Sequence, residues 1–209
     1  MHINKDQQLI KAFCHHYFWL SIVHHTYKTL FEDTSKHELL EKTAKSFFQN
    51  LNKIIIDYLF FQFCKFTDPA KMRNDFNLTV EYMVKYIDWA PDIKDKLSSL
   101  MSRLNELRNL IKDARHKIIV HRDVEVIISQ NQVLGKFPKG KDEEFLDLLG
   151  EFCDCMHRAC FGKSFGSIST ASEGDVFDLI KTLKKSIAFE RLLSEKSGDD
   201  LIKLYDLMK

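Results

Sequence analysis

Along most of this chain, apolar residues recur at alternating spacings of three and four. Ile10, Phe13, Tyr17, Leu20, His24, Tyr27 and Phe31 form the first such series, the pattern of a helix that buries a single stripe. It predicts a helix from Lys5 to Phe31. Thr34 or Ser35 is placed to cap a second helix reaching Phe66, in which Leu40, Ala44, Phe47, Leu51, Ile54, Tyr58 and Phe61 keep the rhythm. Few residues separate the two, so they should fold back as an antiparallel pair.

The rhythm then lapses. Thr67–Asn77 has no apolar period and contains the breaker Asp68-Pro69, which predicts a loop. Thr79 caps a short helix from Val80 to Asp88, which stops before Pro91. Beyond it, Ile93, Leu97, Leu100, Leu104, Leu107, Ile111, Ala114 and Ile118 follow strict four-three alternation. Three more residues reach His121. A pattern sustained for so long calls for a helix packed against one or two partners, within the chain or across a dimer.

After Asp123, "VEVIISQNQVLGKFPKGK" is rich in β-branched residues around Gln130-Asn131 and permits a short hairpin. Helices resume at Asp142–Phe161 and Asp175–Lys196, the latter opened by a Ser172/Asp175 capping box, and "DDLIKLYDLM" closes the chain as another. Repeats and long linkers are both missing, which predicts one all-α domain over residues 1–209.

Composition narrows the class. Of 209 residues, 44% are hydrophobic and 29% charged, with only seven Gly and three Pro, a balance that buries a core without metals or disulfides. The 31 basic and 30 acidic residues leave a net charge of +1, so any nucleic-acid contact must be a local patch. Five cysteines and an N-terminus unlike a signal peptide point to free thiols in a reducing cytoplasm. The most apolar run, Ile54–Phe66, holds Asp57 and Lys65 and falls short of the roughly 20 residues needed to span a bilayer, so no membrane partner is expected.

Two clusters suggest metal chemistry, and each has a plainer explanation. In "HHYFWLSIVHH" only His16 and His24 come near one helical face, about 80° apart, and His24 on the stripe fits a hydrogen-bonded core residue. In "CDCMHRAC", Cys153, His157 and Cys160 fall at i, i+4 and i+7, but a zinc site usually needs a fourth ligand. Buried packing accounts for them as well. No metal or other cofactor is expected. "GKFPKGK", Gly135–Lys141, has a phosphate loop's composition but Asp142 where Ser or Thr is required, and reads as a solvated basic loop that could still touch a nucleic-acid backbone.

The sharpest chemistry is "DARHKIIVHRD", Asp113–Asp123. Cations near a helix C-terminus complement its dipole by about 0.3–1 kcal/mol each, and His121 could be an ordinary core residue. The same groups suit cleavage of RNA by its own 2′-hydroxyl. Imidazole, with a pKa of about 6.5, can take the hydroxyl proton, and guanidinium can hold the charge gathering on phosphate. Positive charge on Arg115, Lys117 and Arg122 would favour neutral imidazole. Six residues apart on an ideal helix, Arg115 and His121 lie roughly 120° and 9 Å from each other. To converge on one phosphate they need the helix to end between them, or two copies to pool their residues about a twofold axis.

"RHKIIVH", Arg115–His121, within "LRNLIKDARHKIIVHRD" and downstream of "NLTVEYM", resembles the R-x(4–6)-H motif of the HEPN superfamily, the higher-eukaryote and prokaryote nucleotide-binding domains. The likeness is greatest to the HEPN-like branch associated with phage abortive infection. The resemblance implies an α-helical bundle that forms a homodimer with its motif helices facing each other. It also implies a metal-independent endoribonuclease of the toxin or phage-defence type, leaving 2′,3′-cyclic phosphates, with RNA as partner and an antitoxin as a further one. Arg115 would then steady the phosphate and His121 act as acid or base, supported by His116, Lys117, Arg122 and Asp123. His116 stands where the family often has Asn or Asp, which leaves two imidazoles competing for the proton. Relatives that have lost catalysis imply the alternative, a nucleotide-binding or protein-interaction module.

Overall fold

The computed structural model describes residues 4–114, 140–166 and 173–194. Of these, 83% are helical, and the one sheet among them is a two-stranded antiparallel hairpin, so the fold is all-α. Its elements are α1 (Lys5–Tyr27), α2 (His37–Thr67), β1 (Lys71–Met72), β2 (Asp75–Phe76), α3 (Val80–Tyr86), α4 (Pro91–Ala114), α5 (Lys141–Phe161) and α6 (Val176–Ser194). No described helix is long and apolar enough to cross a membrane, and all five cysteines are free thiols.

The chain divides into two compact units. The first comprises Met1–His24 and Ile55–Ile168. Its core is aromatic: Phe13 of α1 meets Phe66 of α2 at 5.2 Å and Phe152 of α5 at 5.7 Å between ring centroids, all three buried. His16 also reaches Gln62, so α1 and the end of α2 run antiparallel, as their short connection predicts. On α4 the four-three stripe is buried at Leu97, Leu100, Leu104 and Leu107, and Pro91 opens the helix where its missing N–H costs nothing. Lys96 meets Glu151 at 3.6 Å, and Arg103 shares a cleft with Gly140, Glu143 and Asp147; α4 and α5 are therefore antiparallel. Gly140 and Gly162 bracket α5 in left-handed conformations, φ 79° and 69°, which side chains other than glycine rarely adopt.

The second unit comprises His25–Ile54 and Ser169–Lys209. Leu30, Leu40, Phe48, Val176 and Ile180 form its buried cluster, and Asp175 starts α6 by accepting the Phe177 amide at 2.8 Å. Asp175 also accepts the Asp178 amide, and Ser172, its expected partner in a capping box, lies outside the described residues.

Four expectations from the sequence are corrected. α1 gives way after Tyr27 to a π-turn, Lys28–Glu32, closed by the Asp33 amide on the Lys28 carbonyl. Its i→i+5 bond breaks the regular phase of the helix, and Leu30, not Phe31, is the buried residue. Asp33, not Thr34 or Ser35, supplies the cap, accepting the Ser35 amide at 3.0 Å ahead of a short 3-10 turn. Within α2, Ala44 leaves helical geometry (φ −154°, ψ 67°) and resets the phase. Phe48, Leu59, Phe63 and Phe66 are buried, whereas Phe47, Ile54 and Phe61 of the predicted stripe are exposed. Finally, Thr67–Asn77 is not all loop. It contains the β1–β2 hairpin, with Lys71 opposite Phe76 and Met72 opposite Asp75.

Candidate functional site

Arg115, His116, Lys117, His121, Arg122 and Asp123 all lie outside the described residues, as does the hairpin expected after Asp123. What is described is the ground on either side. α4 is described as far as Ala114, and the described residues resume at Gly140, the N-cap of α5. The approach is anchored. Arg108, seven residues before Arg115, donates to Asp68 at 3.1 Å, with both side chains partly buried, so loss of either partner would leave the other's charge unpaired in a partly desolvated place.

The return is anchored too. Asp142, on the first turn of α5, bonds His24 of α1 through Oδ2 and Nε2 at 2.7 Å. The hydrogen bond from His24 holds the Asp142 carboxyl below the ordinary carboxylate range, against the opposing effect of burial. The hydrogen-bonded core role expected for His24 is the one observed. Because folding depresses the Asp142 pKa, its contribution to stability is present above the unfolded value of about 3.9 and is lost as pH falls through the folded value. In urea unfolding, Asp142→Asn is therefore expected to be less stable than the parent at pH 6, with the gap shrinking as pH falls from about 4. A gap that stays constant across that range would show that this pair does not couple to folding.

The other clusters resolve into separate contacts. His16 bonds Gln62 Oε1 at 2.8 Å while His24 bonds Asp142, so the two imidazoles face different partners. Burial is the main reason that the His16 pKa is lowered. Cys153 is fully buried, its thiol pushed well up by desolvation, with the Cys14 thiol donating to its carbonyl. His157 Nδ1 contacts the Lys163 carbonyl at 2.8 Å. One grouping escaped sequence reasoning: Lys11, Cys14, His15, Phe18, His157 and Phe165 line one open cavity of 310 Å³. It brings a histidine from each cluster together, across a separation of more than a hundred residues that no local spacing encodes.

Comparison with protein families matches HEPN_AbiU2, the AbiU2 family, over residues 4–185. Comparisons with curated proteins and with solved structures give no match.

Proposed function

Since this chain belongs to the AbiU2 family of HEPN-like abortive-infection proteins, we propose that it is a metal-independent endoribonuclease acting in phage defence. His121 takes the proton of a ribose 2′-hydroxyl, the freed oxygen attacks the adjacent phosphorus, and the bond to the 5′-oxygen breaks. Arg115 holds the charge on the non-bridging oxygens, and the leaving 5′-oxygen is protonated by an acid of the same site. The products are a 2′,3′-cyclic phosphate and a 5′-hydroxyl. His116, Lys117, Arg122 and Asp123 line the substrate phosphates or orient the imidazole. The pairing of two copies brings one subunit's guanidinium to the other's imidazole, since one helix alone holds them about 120° apart.

The observation that carries this reading is the position of the motif. In the sequence it directly follows the described part of α4, Pro91–Ala114, a helix braced by Arg108 and Asp68. Leu110, half exposed one turn earlier, offers a partner helix an apolar contact. Purified protein incubated with mixed RNA in EDTA is expected to yield fragments ending in cyclic phosphate. Intact RNA at high protein concentration would favour the non-catalytic module.

A further inference from the structure

The hairpin and α3 gather an unusual amount of exposed aromatic surface. Phe76 is 53% exposed, Tyr86 48% and Met72 55%. Phe76 lies edge-on to Tyr86 at 5.1 Å and to Tyr82 at 6.0 Å, and the two tyrosines are 5.1 Å apart. The Lys71 ammonium sits over the Phe76 ring at 5.7 Å. Exposed rings clustered in this way mark a surface that meets something else.

The cluster is held rigid. Glu81 accepts the Ala70 amide on one oxygen, at 2.6 Å, and the Lys85 ammonium on the other. Asn77 clips the base of the hairpin by donating to the Ala70 carbonyl at 2.8 Å and the Pro69 carbonyl at 3.2 Å. Arg73 opens the two-residue turn at φ 55°, the one positive φ among the described non-glycine residues. Glycine is the usual occupant of that place, and local strain of this kind collects at functional surfaces. Lys85 and Glu81 neutralise each other, which leaves Lys71 and Arg73 against Asp75, so the rim beside the rings keeps one net positive charge.

We propose that this surface is a stacking platform for single-stranded RNA. Exposed rings beside cations match a strand whose bases offer π-faces and whose backbone offers phosphates. The choice of RNA rests on the ribonuclease reading above. Asp68, shortly ahead of the hairpin, is the partner of Arg108 on α4, so the platform and the helix that precedes the motif share a support.

The test uses the full chain and a short fluorescein-labelled 2′-O-methyl oligoribonucleotide, which lacks the attacking hydroxyl, followed by fluorescence anisotropy. Phe76→Ala and Tyr86→Ala are each expected to weaken binding about 5- to 100-fold at unchanged thermal midpoint. Lys71→Ala should flatten the salt dependence, and the same strand in a duplex should bind less well. Phe76→Leu keeps the apolar volume without the ring and serves if the alanine variant does not fold. Equal affinity of parent and Phe76 variants overturns the proposal. So does a dimer that dissociates in Phe76→Leu while RNA affinity is unchanged, which would make this face a contact between copies. Loss of cleavage on ordinary RNA with platform-dependent binding retained would remove the nuclease and leave the platform standing; cleavage indifferent to Phe76 and Tyr86 would do the reverse.

Discussion

Replacing His121 by alanine is expected to lower RNA cleavage about 10²- to 10⁴-fold, the usual worth of a positioned acid or base, without moving the thermal midpoint. The site proposed here makes a second outcome follow. If one subunit's Arg115 works with its partner's His121, then a heterodimer of Arg115→Ala and His121→Ala keeps one intact pair. Co-refolding the two inactive variants in equal amounts should restore roughly a quarter of parental activity, because half the dimers are mixed and each holds one of two sites. No recovery, with mixed dimers demonstrated by native mass spectrometry, would mean that each chain supplies its own pair. Undiminished cleavage by folded His121→Ala would remove His121 from the chemistry.

Phe13→Ala is expected to cost about 3–5 kcal/mol of folding stability, read from urea midpoints. Phe13 is fully buried and its ring touches Phe66 and Phe152, so truncation opens a cavity where α1, α2 and α5 meet. The informative control is Phe47→Ala. The apolar rhythm alone puts Phe47 in the core, but it is 60% exposed, and its truncation should shift stability by no more than about 0.5 kcal/mol. A large loss at Phe47 with a small one at Phe13 would reverse the assignment of the buried face on both helices.

These two phenylalanines show which parts of the fold can be read from sequence. Periodicity reports that a helix exists and which face it buries, as long as its phase runs unbroken. On α4 nothing interrupts it, and Leu97, Leu100, Leu104 and Leu107 are buried as the spacing requires. Thr79, foreseen as a cap, accepts the Tyr82 amide at 3.2 Å. At Ala44 a single non-helical residue shifts everything downstream by one position, and alanine, a strong helix former, gives no warning. The hairpin stayed hidden for a related reason: its strands have two residues each, too short for alternation to register, and its turn places arginine where the rule expects glycine.

The candidate site divides along the same line. The motif is a local string and could be found by inspection; its supports are not local. Asp68 and Arg108 are 40 residues apart and His24 and Asp142 are 118 apart, and only the folded chain pairs them. Asp142 drew notice as the residue that spoils a phosphate loop. Its use is to brace the start of α5.

The wide turn at Lys28–Glu32 has a bearing on how relatives are to be matched to this chain. A homologue whose first helix continues without the surplus residue will present its inward leucine one place earlier. Pairing the two by eye, leucine to leucine, therefore demands a single-position gap in the middle of what looks like uninterrupted helix. Omitting that gap would throw every later position up to the next insertion out of step, and a true relative would look like a stranger.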